Sequence, residues 1–164
     1  MTIPGLIPLS FDTDDGFGAR ARLGLIVLES DQTIEAEARM LDLDGVDIYH
    51  SRIPNALEVT PETLTDMEAQ LPIAAALLPS EFQFDAIGYG CTSAATLIGA
   101  EGVAAGIHAA HPGIACTNPI SAAVEAFRAL GTRRIAVVTP YTADVTVPIA
   151  QHFTDAGSEV TALG

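Results

Sequence analysis

"FDAIGYGCTSAAT", residues 84–96, decides how this chain is read. Its first half is a short apolar run closing on Gly-Tyr-Gly, the mark of a buried strand. Its second half opens a small-residue, helix-like stretch that continues to His111. Cys91 therefore falls where a strand gives way to a helix, beside Gly90, which allows the backbone a tight turn.

The same alternation extends outward in both directions. "RLGLIVL" (22–28) predicts a first strand, and "SDQTIEAEARML" from Ser30 a helix with a polar cap and an acidic first turn. "VDIYHSRI" (46–53) is a second strand. "TPETLTDMEAQLPIAAALLP" (60–79) is a helix capped by Thr60 with Pro61 at its first position, kinked or split at Pro72. After the strand at 84–90 and a helix weakened by Gly99, Gly102 and Gly106, "GIACT" (113–117) is a fourth strand. "NPISAAVEAFRALG" (118–131) carries both helix boundary signals. "RRIAVVTP" (133–140), a helix over 141–157 with Pro148 inside it, and "SEVTALG" (158–164) complete the pattern. Strand and helix in alternation predict an α/β fold with parallel sheets, right-handed crossovers and flanking helices. The opening residues 1–21, rich in Pro, Gly and Asp, read as a surface arm, residues 22–118 as a first lobe and 119–164 as part of a second.

Composition narrows the function. At 164 residues and 49% hydrophobic the chain can bury a sizeable core. Seven basic residues against 21 acidic ones, a net charge of −14, argue against a nucleic-acid partner, which needs clustered Lys and Arg. No stretch reads as a secretion signal or a membrane span, so a cytoplasmic address is expected. Two cysteines form neither a disulfide framework nor a metal-ligand pattern, and a reducing compartment keeps both as thiols. The first strand exits as "LESDQT" with no Gly-rich phosphate loop, so no nucleotide cofactor and no metal are expected.

Sheets of this kind bind ligands at the carboxyl ends of their strands. Cys91, Thr117, Tyr141 and the Ser30–Asp31 pair all follow predicted strands and converge on that edge. A thiol is a nucleophile only as its thiolate, and the positive end of a helix, about half an elementary charge, favours an anion placed just ahead of it. Thr92 and Ser93 set hydroxyls beside the same unpaired amides, which makes an anion cradle. The plainer alternative is that Cys91 is a small buried residue ending a strand. Cys116 reads as an inert core thiol. The Tyr141 hydroxyl either donates to a bound oxygen or lies at the surface. The histidines read as surface or satisfied core residues, without partners at metal-ligand spacing.

With these residues placed, the chain resembles the aspartate/glutamate racemase superfamily, in the branch holding maleate cis-trans isomerase and arylmalonate decarboxylase. The likeness is carried by "RLGLIVLESDQTIEAE", "IGYGCTSAAT" and "AAVEAFRALGTRRIAVVTPYTADV". Within the branch it is similar to racemase-like proteins of ectoine utilisation. The resemblance implies a cofactor-free site between two similar Rossmann-like lobes, each supplying a cysteine to one face of a small carboxylate, an amino acid or a dicarboxylate. Racemases move the α-proton between the two thiols, whereas in maleate isomerase the first cysteine adds to the double bond. Cys91 matches that first cysteine, and a plain decarboxylase would carry glycine there. Thr92 and Ser93 match the pair that holds a substrate carboxylate, and Tyr141 a tyrosine that hydrogen-bonds the ligand. The resemblance also implies a homo-oligomer. The net charge is compatible with an anionic substrate, because distant charges are screened over about 8 Å.

Two departures follow. Asp31 stands where maleate isomerases have an asparagine that donates to a substrate carboxylate; an ionised Asp cannot donate. The second lobe's cysteine belongs beyond Gly164, and Cys116 does not replace it. The second lobe therefore reads as incomplete, as in a fragment, a truncated sequence or a degenerate paralogue, and the chain alone is expected to lack turnover. A non-catalytic carboxylate-binding lobe and a hydantoin-type racemase are the alternatives.

Overall fold

In the computed structural model, residues 5–14, 16–56, 58–81 and 83–164 are described. Residues 1–4 and 15 of the expected arm lie outside them. Residues 5–14 form neither helix nor strand and are exposed.

Four strands make the main sheet: β1 (Ala21–Leu28), β2 (Val46–Ile53), β3 (Ala86–Tyr89) and β4 (Ala115–Thr117). Their order is β2-β1-β3-β4 and every pairing is parallel. β1 and β3 are the inner strands, and Ile26, Val27, Ile87 and Tyr89 are buried on them. That explains their continuous apolar runs. The chain leaves β1 toward one side and β3 toward the other, so the direction of winding reverses between these two neighbours. Such a reversal opens a crevice at the strands' carboxyl ends.

The helices follow the boundary signals closely. α1 (Ile34–Met40) starts later than the cap expected at Ser30, because the Asp31 Oδ1 accepts from the amides of Thr33 and Ile34 at 2.8 Å each and holds Ser30–Thr33 outside the helix. α2 (Pro61–Asp66) opens on a reciprocal capping box between Thr60 and Thr63. The expected split occurs ahead of Pro72: a 3-10 turn at Glu68–Gln70 leads into α3 (Leu71–Ala75), where proline takes an early helical position that needs no amide donor. α4 (Thr92–His108) is interrupted at Gly99, at φ 80 and ψ 158. Gly106 has a different cause, since a Cβ there would sit 2.7 Å from that of Leu71. Its absence lets α3 and α4 pack closely.

α5 (Pro119–Leu130) is capped by Asn118, whose Oδ1 accepts from Ser121 N at 3.0 Å, and stops at the left-handed Gly131. β5 (Arg134–Val137), α6 (Ala143–Asp155) and β6 (Glu159–Leu163) complete the chain. β5 and β6 pair in parallel as a separate two-stranded sheet. Val137 is its buried residue, while Val138 and Leu163 are exposed, so this sheet is covered less than the first. Phe127 of α5 and Phe153 of α6 meet edge to face at 5.5 Å. Among the described residues no helix is long and apolar enough to cross a membrane.

Candidate active site

The crevice between β1 and β3 holds a cavity of about 310 Å³. Its walls come from the loop after β1 (Ser30, Asp31), the loop after β2 (Asn55, Glu58), α2 and the turn that follows it (Thr63, Met67), the β3–α4 junction (Gly90–Ser93), and Tyr141 ahead of α6. All five expected site residues, Asp31, Cys91, Thr92, Ser93 and Tyr141, are thus brought together. Thr117 is not among them. It ends β4, one strand beyond β3 and away from the reversal point.

Cys91 is the extended N-cap residue of α4, at φ −126 and ψ 111, with no side chain capping the helix. The first-turn amides therefore remain open to a ligand, and the dipole favours an anion at this end. The thiol is 4% exposed and lies 3.7 Å from the Ser93 hydroxyl oxygen. Gly90 is needed for close approach rather than for a turn with positive φ. Its amide donates to Ile26 O at 2.8 Å, and a Cβ would come within 3.1 Å of Ile34 Cδ1 and 3.3 Å of that carbonyl oxygen. The glycine before the thiol thus seats the junction against β1 and α1.

Beneath the thiol, Tyr89 is 1% exposed; its hydroxyl donates to Met67 Sδ at 3.7 Å and lies in hydrogen-bonding reach of the Cys91 sulfur. Burial, reinforced by the Cys91 charge and that hydrogen bond, pushes the phenol far above its ordinary range, so Tyr89 stays a protonated donor. Tyr141 is half-buried and is held by its amide, which donates to Thr139 Oγ1 at 3.2 Å. Arg52 braces the loop after β1. Its Nη1 donates to the carbonyls of Leu28, Glu29 and Asp31 at 2.9–3.0 Å, and its Nη2 pairs with Glu35 at 2.6 Å.

Cys116 lies elsewhere. It is half-buried on β4, its thiol donates to Ile114 O at 3.5 Å, its sulfur is 3.5 Å from His108 Nε2, and burial pushes the thiol pKa up. Both cysteines are free thiols. His108 and His111 are hydrogen-bonded to the carbonyls of Ile114 and Ala75, in keeping with satisfied core residues, but His50 Nε2 is buried with no partner among the described residues. No cluster of three or more metal-ligating side chains occurs among the described residues.

Sequence reasoning missed the loop after β2, which brings Asn55 and Glu58 to the cavity; Asn55 Oδ1 also accepts from Ser30 N at 3.1 Å. The signal was present, since Pro54 and Asn55 follow a predicted strand just as Ser30 does. Met67 and Tyr89 had no such signal, because their place depends on how α2 and α4 pack. A larger cavity, about 890 Å³, opens at the opposite edge beside Arg20, Arg22 and the starts of β3 and β4. It contains no thiol and no helix N-terminus. The smaller cavity, at the strands' carboxyl ends, is therefore the candidate site.

The chain is similar to known proteins over most of its length. A family model described as arylmalonate decarboxylase matches residues 100–164. The maleate isomerase of Geobacillus stearothermophilus is 29% identical over 154 residues, covering 85% of this chain and 61% of that protein. The crystal structure of the maleate isomerase from Pseudomonas putida S16 superposes with a TM-score of 0.73 at 27% identity, over 88% of this chain and 63% of that one. A Nocardia farcinica maleate cis-trans isomerase, a cysteine-to-serine mutant with a covalently bound succinylcysteine intermediate, gives 0.69 at 26% identity, over 88% and 62%. The chain thus spans about three fifths of the length of the relatives it matches.

Proposed function

Because the chain is similar to maleate isomerases and its residues 100–164 match the arylmalonate decarboxylase model, we propose that it belongs to that family and forms the thiol-bearing part of a cofactor-independent isomerase acting on a small carboxylate. The observation that carries this reading is Cys91, set as the uncapped N-terminal residue of α4 on the wall of a cavity that Thr92, Ser93 and Tyr141 also line. In the proposed step the Cys91 thiolate adds to one carbon of a conjugated double bond, and the π electrons move to the carbon next to the carboxylate. The former double bond is then single and rotates; the electron pair returns and expels the thiolate, with no net proton gained or lost. The α4 amides and the Thr92 and Ser93 hydroxyls stabilise the charge that builds on the carboxylate. The Tyr89 hydroxyl, whose one proton points at Met67 Sδ, can turn it toward the Cys91 sulfur once the thiolate forms. The Nocardia relative's covalent succinylcysteine supports addition by a cysteine as the chemistry of this group.

Racemisation by two opposed thiols, the hydantoin reading included, finds less support, because the relatives that this chain matches are maleate isomerases. The ectoine-utilisation grouping rests on sequence resemblance. A cytoplasmic address and a homo-oligomer belong to the same proposal. The test is incubation of the purified chain with maleate, followed by mass spectrometry of the peptide carrying Cys91. A mass gain equal to one substrate molecule, lost in Cys91→Ser, is expected. Protection of the thiol by carboxylates with no adduct at any pH would favour the non-catalytic binding lobe.

A further inference from the structure

We infer that Thr139 and Thr146 are positioning residues for Tyr141, holding its main chain on both sides so that its hydroxyl meets the ligand of this cavity. The inference rests on the carboxylate site proposed above and concerns what aims one of its walls. Among the described residues, Tyr141 is the one lining residue that comes from beyond β4; the others belong to the loops and helices around the four-stranded sheet. Its hydroxyl has no hydrogen-bond partner among the described residues, so it is left for a bound group.

The two threonines close a ring on the main chain of Tyr141. The Tyr141 amide donates to Thr139 Oγ1 at 3.2 Å, the two threonine hydroxyl oxygens are 2.6 Å apart, and Thr146 Oγ1 donates to Tyr141 O at 3.4 Å. A hydroxyl has one proton to give. Thr146 spends its own on the carbonyl, so the proton between the two hydroxyls belongs to Thr139. Donation then runs one way round, from the amide to Thr139 to Thr146 to the carbonyl, and each bond strengthens the next. The ring joins two elements, since Thr139 follows β5 and Thr146, 7% exposed, is the fourth residue of α6. The turn between them has few other ways to lie. Pro140 fixes its own φ, and Thr139 N donates to Gly164 O at 3.0 Å, which ties the start of the turn to the end of β6. Thr142, the N-cap residue of α6, makes no side-chain cap bond, so the ring holds the entry to this helix instead.

Two readouts test this in the purified chain. Hydrogen exchange at the Tyr141 amide, followed by NMR, reads the ring with no ligand present. Protection of Cys91 from iodoacetamide by succinate, which has no double bond to attack, reads the effect of the ring on the site. Thr139→Val removes the acceptor of the amide, so exchange there should speed up by about five-fold or more. Thr139→Val and Thr146→Val should each raise the succinate concentration for half-protection by about five-fold, the worth of one hydrogen bond, while Thr139→Ser and Thr146→Ser stay within about two-fold of the parent chain. Thr139 is half-buried, so its variant carries the test if Thr146→Val fails to fold. Added to Tyr141→Phe, which lacks the hydroxyl being aimed, neither valine change should weaken protection further. Amide exchange unchanged by Thr139→Val, half-protection unchanged in the valine variants, or an equal loss in the Tyr141→Phe background overturns the inference while leaving the carboxylate site standing. Failure of succinate to protect Cys91 in the parent chain removes that site, and this inference with it.

Discussion

The sulfur of Cys91 lies 3.7 Å from the hydroxyl oxygen of Ser93, with both side chains buried at the head of α4. A thiolate formed there meets a hydroxyl donor and the positive end of a helix at once. Cys116 meets neither, and burial pushes its thiol pKa up. Iodoacetamide should therefore alkylate Cys91 faster than Cys116 at neutral pH, by about five-fold or more on the scale of a helix-terminus effect. Peptide mapping after timed quenching reads the ratio. Because Cys116 is the more exposed of the two, a result in which it reacts first would show that accessibility, and not the helix terminus, governs these thiols.

Tyr89→Phe isolates the donor beneath the sulfur. The hydroxyl touches two sulfur atoms, both weak acceptors, so its loss should cost less than about 1.5 kcal/mol of folding stability. Alkylation of Cys91 at neutral pH should slow by about three-fold as the thiolate loses a hydrogen bond. Urea denaturation and labelling kinetics on the same preparation separate the two effects. An unchanged labelling rate would reduce Tyr89 to a packing residue.

Much of this was legible in the sequence because it depends on local signals. Thr60 with Pro61, Asn118 with Pro119, and Gly131 mark helix ends through hydrogen bonds and dihedral angles that adjacent residues supply. The place of Cys91 follows from one strand-to-helix junction. What was not legible depends on the order of strands. β4 lies outside β3, so Thr117 misses the cavity that its sequence position suggested, while the loop after β2 reaches it. Asp31, expected to face a ligand, also accepts from the amides of Thr33 and Ile34 just ahead of α1, a local turn that delays the helix.

Gly106→Ala tests the packing that carries α4. A Cβ there would sit 2.7 Å from the Leu71 Cβ, a side-chain atom with no rotamer freedom, so α3 or α4 must move. In an exposed helix the same change stabilises, by about 1 kcal/mol. Here overpacking should dominate, with a net loss of about 1–2 kcal/mol by urea denaturation. A gain in stability would mean that α3 and α4 are not held this close in solution.

His50 supplies a pH dependence with a definite sign. Its Nε2 is buried without a partner among the described residues, and burial holds the imidazole below its usual range, with Glu35 opposing the shift and Arg39 and Arg52 adding to it. In the unfolded chain the ring takes a proton near pH 6.5, roughly its ordinary value, whereas in the folded chain it does so only at lower pH. Between those two points the unfolded state binds more protons, so stability is complete above about pH 6.5 and falls as the pH drops toward the folded value. Carboxylates also titrate on the acid side, and comparison with His50→Gln isolates the histidine. The fall in Tm from pH 7 to pH 5 should be smaller in His50→Gln than in the parent chain. Equal falls would place the ring in contact with water, free to protonate in the folded state.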